Sequence, residues 1–490
     1  MIFASPRFLV FLLAVLVVLA IPFRHEFKKR ILFVASCSFY AAWDYRYLTL
    51  LLLVSVIDYY CAARIAETDD QRKRLRWVTF SVASNLAILG YFKYFNFFVG
   101  NLNGVLAWSG RSIPALEILL PAGISFYTFK SMSYTIDVYR RELEPCRSLM
   151  DYATFVTFFP ELIAGPIVRA SIFLPQMTRR IGPTRDRVAV GASLFLLGLT
   201  KKVVIADSLA IPVDRVFAQP AIFSGRALWL AAIGYSLQIY CDFSGYSDMA
   251  IGTAKMIGYD LPENFNMPYV ARNITEFWRR WHMTLSAWLR DYLYIPLGGN
   301  RKGNGRTYIN LMLTMLLGGL WHGASWNFVL WGGLHGCALG VHKLYRTTVG
   351  DGGRRLPLGV GWATTVVFVV LCWIPFRARH LGDTAEFLRG MFTLRGGTAF
   401  QADAVFIALA LVVPAHLIGL WLASAVRNEQ PLLRRLLRAL NAQLSSDPIS
   451  SWYVRLGTGT VLGSFLVTLW VLLVLLSAET HTRPFIYFQF

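Results

Sequence analysis

Residues 8–23 read FLVFLLAVLVVLAIPF, an apolar run without a single charge. Its length resembles the apolar core of a secretory signal peptide. Basic residues follow the run, however, where a cleavage site would need small residues. The pattern therefore predicts a retained first transmembrane span.

The whole chain shares this apolar character. Of its 490 residues, 56% are hydrophobic and 16% are charged, whereas a soluble domain has about 25% charged residues. The mean hydropathy is +0.48. Such a chain cannot cover a water-facing surface, which predicts an integral membrane protein. The composition excludes a disordered chain, a small disulfide-stapled secreted domain and a coiled coil.

Apolar segments recur from end to end, and about 20 helical residues are needed to cross the bilayer. The strong candidates for spans are 8–23, 47–63, 77–99, 224–241, 361–376, 403–424 and 457–477. Shorter or Gly/Pro-broken segments lie at 31–43, 114–130, 152–168, 189–206, 307–321 and 326–342. Broken backbone at membrane depth is tolerated only inside protein or beside a cavity.

We therefore predict an all-α polytopic membrane protein, with a ring of about 11 transmembrane helices around a centre of short, re-entrant and interfacial segments. It is predicted to be one membrane domain, residues 1–490. N-terminal spans occupy 1–210, the central motifs occupy 211–345, and C-terminal spans occupy 346–490.

The chain is basic, with 48 Lys and Arg against 28 Asp and Glu, a formal charge of +20. Because the basic residues cluster between apolar runs, we attribute them to cytoplasmic loops and contact with anionic lipids, and not to nucleic acid. Clusters at 24–30 and 72–76 flank a predicted helical hairpin that turns near Asp44. Both clusters are then cytoplasmic, and the N-terminus lies outside. Segment 425–450 is predicted to be a cytoplasmic amphipathic connection.

Cysteine and histidine spacings give no sign of a metal centre. The six cysteines form no CxxC motif, so we interpret them as small buried hydrophobic residues. Neither HxxxH nor HExxH occurs, and no metal site is predicted. His335 and His342 are expected to hydrogen-bond within the helix bundle.

Polar residues at membrane depth are costly and therefore indicate function. The first such group is Tyr240–Asp248, YCDFSGYSD, with Asp242 and Asp248 directly after an apolar helix. One interpretation is the lining of a substrate cavity or a re-entrant turn. The other is a helix end in an interfacial loop, where both carboxylates meet water.

The second group is residues 273–294, NITEFWRRWHMTLSAWLRDYLY. Asn273 or Thr275 is a candidate helix cap. The spacing predicts one amphipathic helix with a polar stripe made of Arg279, His282, Ser286 and Arg290. The arginines suit the phosphates of an anionic donor, although contact with lipid phosphates is the simpler interpretation of any single arginine.

The third group is the basic stretch 298–306, GGNRKGNGR, predicted to be a flexible loop. It is able to wrap phosphates, but it lacks the GxxxxGK[ST] pattern of nucleotide hydrolases. A cytoplasmic turn explains it equally well.

The fourth group is residues 317–327, LGGLWHGASWN, which place His322 among small residues and tryptophans. Small residues allow close approach of backbones or of a thin ligand. A desolvated, neutral imidazole can accept a proton from a hydroxyl. His322 is therefore a candidate general base.

With these motifs, the sequence resembles the membrane-bound O-acyltransferase family, and within it the bacterial alginate and peptidoglycan O-acetyltransferase type, related to the D-alanyl-teichoic-acid transferase. Further matching motifs are FFPELIAGPI at 158–167, the surroundings of Asn264, WIPFRA at 373–378 and FIYF at 485–488. The resemblance covers most of the chain.

The resemblance implies a fold with a funnel from each membrane face meeting near the catalytic histidine. The family's two functional histidines fall on His322 and His282. His322 would remove the acceptor's proton, and His282 would polarise the carbonyl or orient the donor. The remaining predicted substrate-binding residues are Trp278, Arg279, Arg280, Ser286, Asp242, Trp321, Arg301 and Lys302.

The implied reaction moves an acyl group, most simply acetyl, from a cytoplasmic thioester to an outer hydroxyl. The thioester is expected to be acetyl-coenzyme A or an acyl carrier protein, with no tightly bound cofactor. The acceptor would be a cell-envelope polysaccharide or a periplasmic partner acetyltransferase, and the location the bacterial inner membrane. D-alanyl transfer, a transporter or flippase, and a scaffold of an export complex are the alternatives.

Overall fold

The computed structural model describes residues 3–179, 182–349 and 356–427, together with 443–444, 454–455, 470–471 and 485. Its α-helices are α1 (Pro6–Ala20), α2 (His25–Ala66), α3 (Gln71–Leu89), α4 (Phe95–Leu106), α5 (Ile124–Arg140), α6 (Leu149–Thr157), α7 (Ala170–Phe173), α8 (Arg185–Leu199), α9 (Asp207–Ala218), α10 (Gly225–Ile257), α11 (Ile274–Trp278), α12 (Met283–Leu289), α13 (Gly303–His322), α14 (Trp326–Val349), α15 (Leu358–Arg377), α16 (Leu381–Phe392) and α17 (Asp403–Arg427).

Shorter elements connect these helices. There are π-helical turns at Gly90–Tyr94, Thr200–Ala206 and Arg290–Tyr294, and 3₁₀ turns at Ala107–Ser109, Leu174–Thr178, Pro220–Ile222 and Pro268–Val270. Two-residue strands β1 (Gln443–Leu444) and β2 (Val454–Arg455) pair antiparallel. The prediction of a helical architecture is thus confirmed.

Several of the described helices are long and apolar enough to cross a membrane, which agrees with a polytopic membrane protein. They are His25–Ala66, Arg185–Ala218, Leu358–Arg377 and Asp403–Leu422, and α1 is a shorter apolar helix. Most of the predicted span 457–477 and most of the predicted connection 425–450 lie outside the described residues.

Contacts divide the chain into two compact units. The first comprises Met1–Phe195 and Met249–Pro262, and the second comprises Leu196–Asp248 and Glu263–Phe490. The single membrane domain over 1–490 stays a prediction.

In the first unit, α2 folds back on itself at Asp44, whose backbone is extended (φ −159°, ψ 113°). Lys29 before this break pairs with Asp151 at 2.8 Å, and Tyr59 after it donates to the carbonyl oxygen of Arg147 at 2.9 Å. A straight helix would hold residues 29 and 59 about 45 Å apart. The predicted hairpin at Asp44 is therefore confirmed.

The broken segment of the first unit is held by a buried ion pair. α6 ends at Thr157, and residues 158–168 continue without helix but remain buried. Glu161 in this segment pairs with Lys130 of α5, and Lys130 also donates to the carbonyl oxygen of Phe155 at 2.6 Å. Both charged side chains are inaccessible to solvent. Broken backbone here is buried in protein, as predicted.

Glu161→Gln is expected to destabilise the protein by about 3–5 kcal/mol, because it leaves the Lys130 ammonium buried without a counter-charge. The measurement is thermal unfolding of the purified protein in detergent. The control is the double variant Lys130→Met, Glu161→Leu, which removes both charges and should be more stable than the single variant. A single variant as stable as the wild type would contradict the assignment.

In the second unit, α13 and α14 form a hairpin that glycines allow to pack backbone against backbone. A Cβ on Gly319 would overlap the carbonyl oxygen of Phe328, and one on Gly332 would overlap that of Met315. The small residues seen in the sequence thus serve close helix approach. His322 lies at the tip of this hairpin.

Gly332→Ala is expected to force α13 and α14 apart, because the added methyl group has no space beside the Met315 carbonyl. Both the thermal midpoint and the amount of folded protein should fall. The matched control is Gly333→Ala, whose Cβ would meet Leu316 at an ordinary 3.7 Å. Equal stability of the two variants would contradict this account of the hairpin.

Candidate active site

His322 is the last residue of α13, and the extended backbone of Gly323 (φ −167°, ψ 153°) ends the helix there. Its side chain is buried among aromatic rings. The centroids of Trp321, Trp331 and Phe376 lie 5.0, 5.1 and 5.3 Å from that of the imidazole. His322 therefore lies in an apolar, aromatic pocket.

His282 lies at a break between two short helices. α11 ends at Trp278 and α12 begins at Met283, and the backbone of His282 is left-handed (φ 42°, ψ 54°). Asn273 caps α11 by accepting from the backbone N–H of Glu276, as predicted. The prediction of one continuous amphipathic helix is wrong, and His282 is fully buried instead of lying on a polar stripe.

Asn264 supplies the hydrogen bonds that permit this break. Its backbone carbonyl accepts from the N–H of Met283 at 2.9 Å. Its side-chain Oδ1 lies 3.0 Å from Nδ1 of His282 and accepts from the Thr284 hydroxyl at 2.9 Å. Helix-period reasoning could not find this arrangement, because the partner lies outside the helical segment.

The two predicted histidines come together. Their ring centroids are 6.5 Å apart, and the indole of Trp321 contacts both rings, at 6.0 Å from His282 and 5.0 Å from His322. Burial lowers the pKa of His282 to about 3. Its imidazole is therefore neutral at pH 7.

Apolar residues complete the surroundings of His282. The ring of Phe243 meets it edge to face at a centroid distance of 4.6 Å. Phe485, the first residue of the C-terminal motif FIYF, contacts Phe243 at 5.5 Å and Tyr246 at 4.7 Å. His282 is thus packed against aromatic rings that themselves contact the C-terminal motif.

Two cavities lie beside α11 and α12, with volumes of about 1010 and 990 Å³. Arg279, Thr275, His342 and Arg346 line both of them. Arg280 lines the larger cavity, and Trp278, Met283 and Ser286 line the smaller one. Neither lining includes His282 or His322, although Met283 follows His282 directly. Four predicted binding residues, Trp278, Arg279, Arg280 and Ser286, therefore border these two cavities, whose linings contain several arginines.

The arginines of these cavities differ in their partners. Arg280 forms an ion pair with Glu276 at 2.9 Å, and Arg290 forms one with Asp291 at 2.6 Å. Arg279 is exposed and has no ion-pair partner in the part of the chain that the structure describes. Of Arg279, Arg280 and Arg290, Arg279 is thus the one without a carboxylate partner among the described residues.

Arg301 and Lys302 are exposed and belong to neither cavity lining. The predicted loop 298–306 is also shorter than expected, because α13 already begins at Gly303. The turn at 298–302 uses Gly298 and Gly299 in left-handed conformations. The structure does not bring these two basic residues to the histidine pair.

Asp242 lies within a helix, and not in the re-entrant turn or the interfacial loop that the sequence suggested. α10 continues without interruption to Ile257, so residues 240–248 form neither a turn nor a loop. Asp242 pairs with Lys202 at 2.7 Å and Asp248 with Lys201 at 2.6 Å. Because these lysines neutralise the carboxylates, the helix does not have to end in water. Two adjacent lysines within the apolar segment 189–206 were the signal that sequence reasoning missed.

The two histidines of α14, His335 and His342, differ in their hydrogen bonds. His342 Nδ1 lies 2.8 Å from the Thr275 hydroxyl, so its predicted hydrogen bond is confirmed. His335 is fully buried, yet neither ring nitrogen has a hydrogen-bond partner among the described residues. Trp278 and Trp331 flank it at 5.1 and 4.7 Å. The prediction is therefore wrong for His335.

Comparison with known proteins identifies an O-acyltransferase. The profile of the membrane-bound O-acyltransferase family matches residues 37–376. A protein of Pseudomonas putida named "Probable alginate O-acetylase AlgI" is 40% identical over 100% of both chains. The Helicobacter pylori "Peptidoglycan O-acetyltransferase" is 41% identical over 76% of this chain and 75% of its own.

A more distant relative is the Bacillus subtilis "Teichoic acid D-alanyltransferase", 30% identical over 47% of this chain and 61% of its own. The family profile spans the buried histidine pair, the hairpin that carries His322, and the cationic cavities. The chain belongs to the membrane-bound O-acyltransferase family and is a membrane O-acyltransferase.

Proposed function

We propose that this enzyme transfers an acetyl group from a cytoplasmic thioester to a hydroxyl of a cell-envelope polysaccharide, or of a periplasmic partner acetyltransferase, at the bacterial inner membrane. The proposal rests above all on one observation: the imidazoles of His282 and His322 are both buried, and their ring centroids lie 6.5 Å apart. Acetyl is favoured over D-alanyl because the alginate and peptidoglycan relatives are about 40% identical over most of the chain. The D-alanyl relative is 30% identical over less than half.

In the proposed reaction, His322 removes the proton of the acceptor hydroxyl. The oxygen bonds to the thioester carbonyl carbon, the C–S bond breaks, and the leaving thiolate takes the proton from His322. General base catalysis contributes about 10²–10⁴-fold. Holding donor and acceptor in line supplies the remainder, since effective molarities reach about 10⁵–10⁸ M.

The donor is proposed to be a phosphate-bearing thioester, acetyl-coenzyme A or an acyl carrier protein, bound as a substrate and not as a resident cofactor. Support comes from the cationic cavities, where exposed Arg279 stands beside Arg280 and Arg346. A guanidinium recognises phosphate oxygens through two parallel hydrogen bonds. Trp278 and Met283 line the smaller cavity, and Met283 follows His282 directly in the chain.

The same proposal includes the arrangement of the membrane helices around the site. A ring of about 11 helices would surround a thinned centre, with one funnel for the donor and one for the acceptor meeting at His322. Small helices α11 and α12, too short to span a bilayer, support such a centre. Apolar helix faces would contact membrane lipids.

His322→Ala is expected to reduce acyl transfer by at least about 10²-fold, because the proposed proton acceptor is lost. The measurement uses purified protein in proteoliposomes with radiolabelled acetyl-coenzyme A and a fraction of periplasmic proteins and glycans. Label on a protein serine or on glycan identifies the acceptor.

The control is His380→Ala, which removes an exposed histidine that caps α16. It should retain full transfer. A folded His322→Ala protein with undiminished transfer would overturn the assignment. Substrate movement without thioester cleavage would instead favour a transporter.

Arg279→Gln is expected to raise the KM for acetyl-coenzyme A about 10-fold with little change in kcat, because a hydrogen bond to a charged group contributes about 1.5–3 kcal/mol. Arg301→Gln is the matched control, since Arg301 lies outside both cavities. The comparison is steady-state kinetics of the two variants. An unchanged KM for Arg279→Gln, or a larger change for Arg301→Gln, would contradict the donor site.

A further inference from the structure

The hydrogen bonds of Asn264 fix which end of its amide faces His282. The backbone N–H of Thr284, which can only donate, lies 3.3 Å from Oδ1. The Thr284 hydroxyl donates to the same oxygen at 2.9 Å. The amide nitrogen donates to the hydroxyl of Ser247 at 3.2 Å on the other side. The oxygen of Asn264 therefore faces His282.

This orientation assigns the tautomer of His282. Nδ1 lies 3.0 Å from an oxygen that can only accept, so Nδ1 carries the proton. A neutral imidazole has one N–H, and Nε2 consequently holds a lone pair. Nε2 is buried and has no hydrogen-bond partner among the residues that the structure describes. Leaving a buried acceptor without a hydrogen-bond donor costs free energy, so a donor to Nε2 is expected.

The rings that contact His282 indicate which group lies close enough to supply a hydrogen bond to Nε2. Of the four rings around it, Phe243 and Phe265 have no polar atom, whereas Trp321 and His322 carry ring nitrogens. A direct N–H···N bond of about 3 Å would bring two imidazole centroids to about 5 Å. The observed 6.5 Å is too long for that bond, but leaves room for one oxygen atom between the rings.

We propose that Asn264 is a positioning residue, which holds His282 with its Nε2 lone pair toward one oxygen atom that bridges to His322. The bridging oxygen, a water molecule, donates to Nε2 of His282 and accepts from an N–H of His322. The other nitrogen of His322 is then kept unprotonated for the acceptor hydroxyl. This deepens the proposed function and rests on it for the role of His322.

The proposal separates the two roles that the sequence left open for His282. Polarising a thioester carbonyl requires an N–H donor, and the only N–H of neutral His282 is taken by Asn264. Orienting His322 requires an acceptor, which Nε2 supplies. When His322 gains the hydroxyl proton, the same hydrogen bonds stabilise the imidazolium, as the third residue of a catalytic triad does. His282 therefore orients and stabilises His322.

The first test is kinetic. Asn264→Leu should lower kcat about 10- to 100-fold, the effect typical of losing a residue that orients a ligating or catalytic histidine, with the KM for the donor unchanged. Asn264→Asp keeps the acceptor and should restore most of kcat. Because its carboxylate favours the imidazolium, the acidic limb of the pH profile should move to higher pH.

Asn85→Leu is the matched control for losing a buried asparagine, since Asn85 lies in the first unit and donates to Asp58. Its kcat per folded enzyme should equal that of the wild type. An unchanged kcat in Asn264→Leu, or an Asn264→Asp variant with an unmoved pH profile, overturns the proposal.

The second test needs no acyl substrate. ¹⁵N NMR of histidine-labelled enzyme in lipid bilayers reports which ring nitrogen carries the proton, and the signal that disappears in His282→Gln belongs to His282. The expected result is a neutral ring protonated at Nδ1. Protonation at Nε2 overturns the proposal, even if acyl transfer is intact. Failure of the acyl-transfer assay with the predicted tautomer present would overturn the proposed function instead.

Discussion

The structure of the candidate active site depends on Asn264, whose hydrogen bonds replace those of an interrupted helix. His282 adopts a left-handed backbone, which costs about 1–3 kcal/mol for a residue with a side chain. Asn264 offsets this cost with its backbone carbonyl on Met283 and its side-chain oxygen on His282 and Thr284. Each such bond contributes about 1 kcal/mol. The break turns His282 from a helix surface into the protein interior.

Burying polar groups in a protein that faces lipid is costly. This cost explains how the other buried charged side chains are paired. Lys130 with Glu161, and Lys202 with Asp207 and Asp242, are buried as ion pairs, because an unpaired charge there would be strongly destabilising. The unsatisfied nitrogens of His282 and His335 depart from this rule. Such departures are expected where a protein retains polar groups for substrates or water.

Much of this was visible in the sequence, because segment length and local composition determine it. The hairpin at Asp44, the small-residue contact of α13 with α14 and the candidacy of His322 follow from local patterns. The choice of His282 came from the family resemblance. The continuous helix over 273–294 was predicted wrongly, since Asn264 acts from 18 residues away. One interpretation ended α10 near Asp242, and this was wrong for the same reason. The lysine that neutralises Asp242, Lys202, lies on another element.

If His322 takes the proton of the acceptor hydroxyl while His282 orients its ring, the acyl end of a bound donor must lie beside His322. The most direct measurement is an experimental structure of the enzyme with a non-cleavable thioether analogue of acetyl-coenzyme A. The carbonyl-equivalent carbon is expected beside the ring nitrogen of His322 that does not face His282, with the phosphates near Arg279. An analogue bound elsewhere, with both imidazoles out of contact with its acyl end, would contradict this expectation.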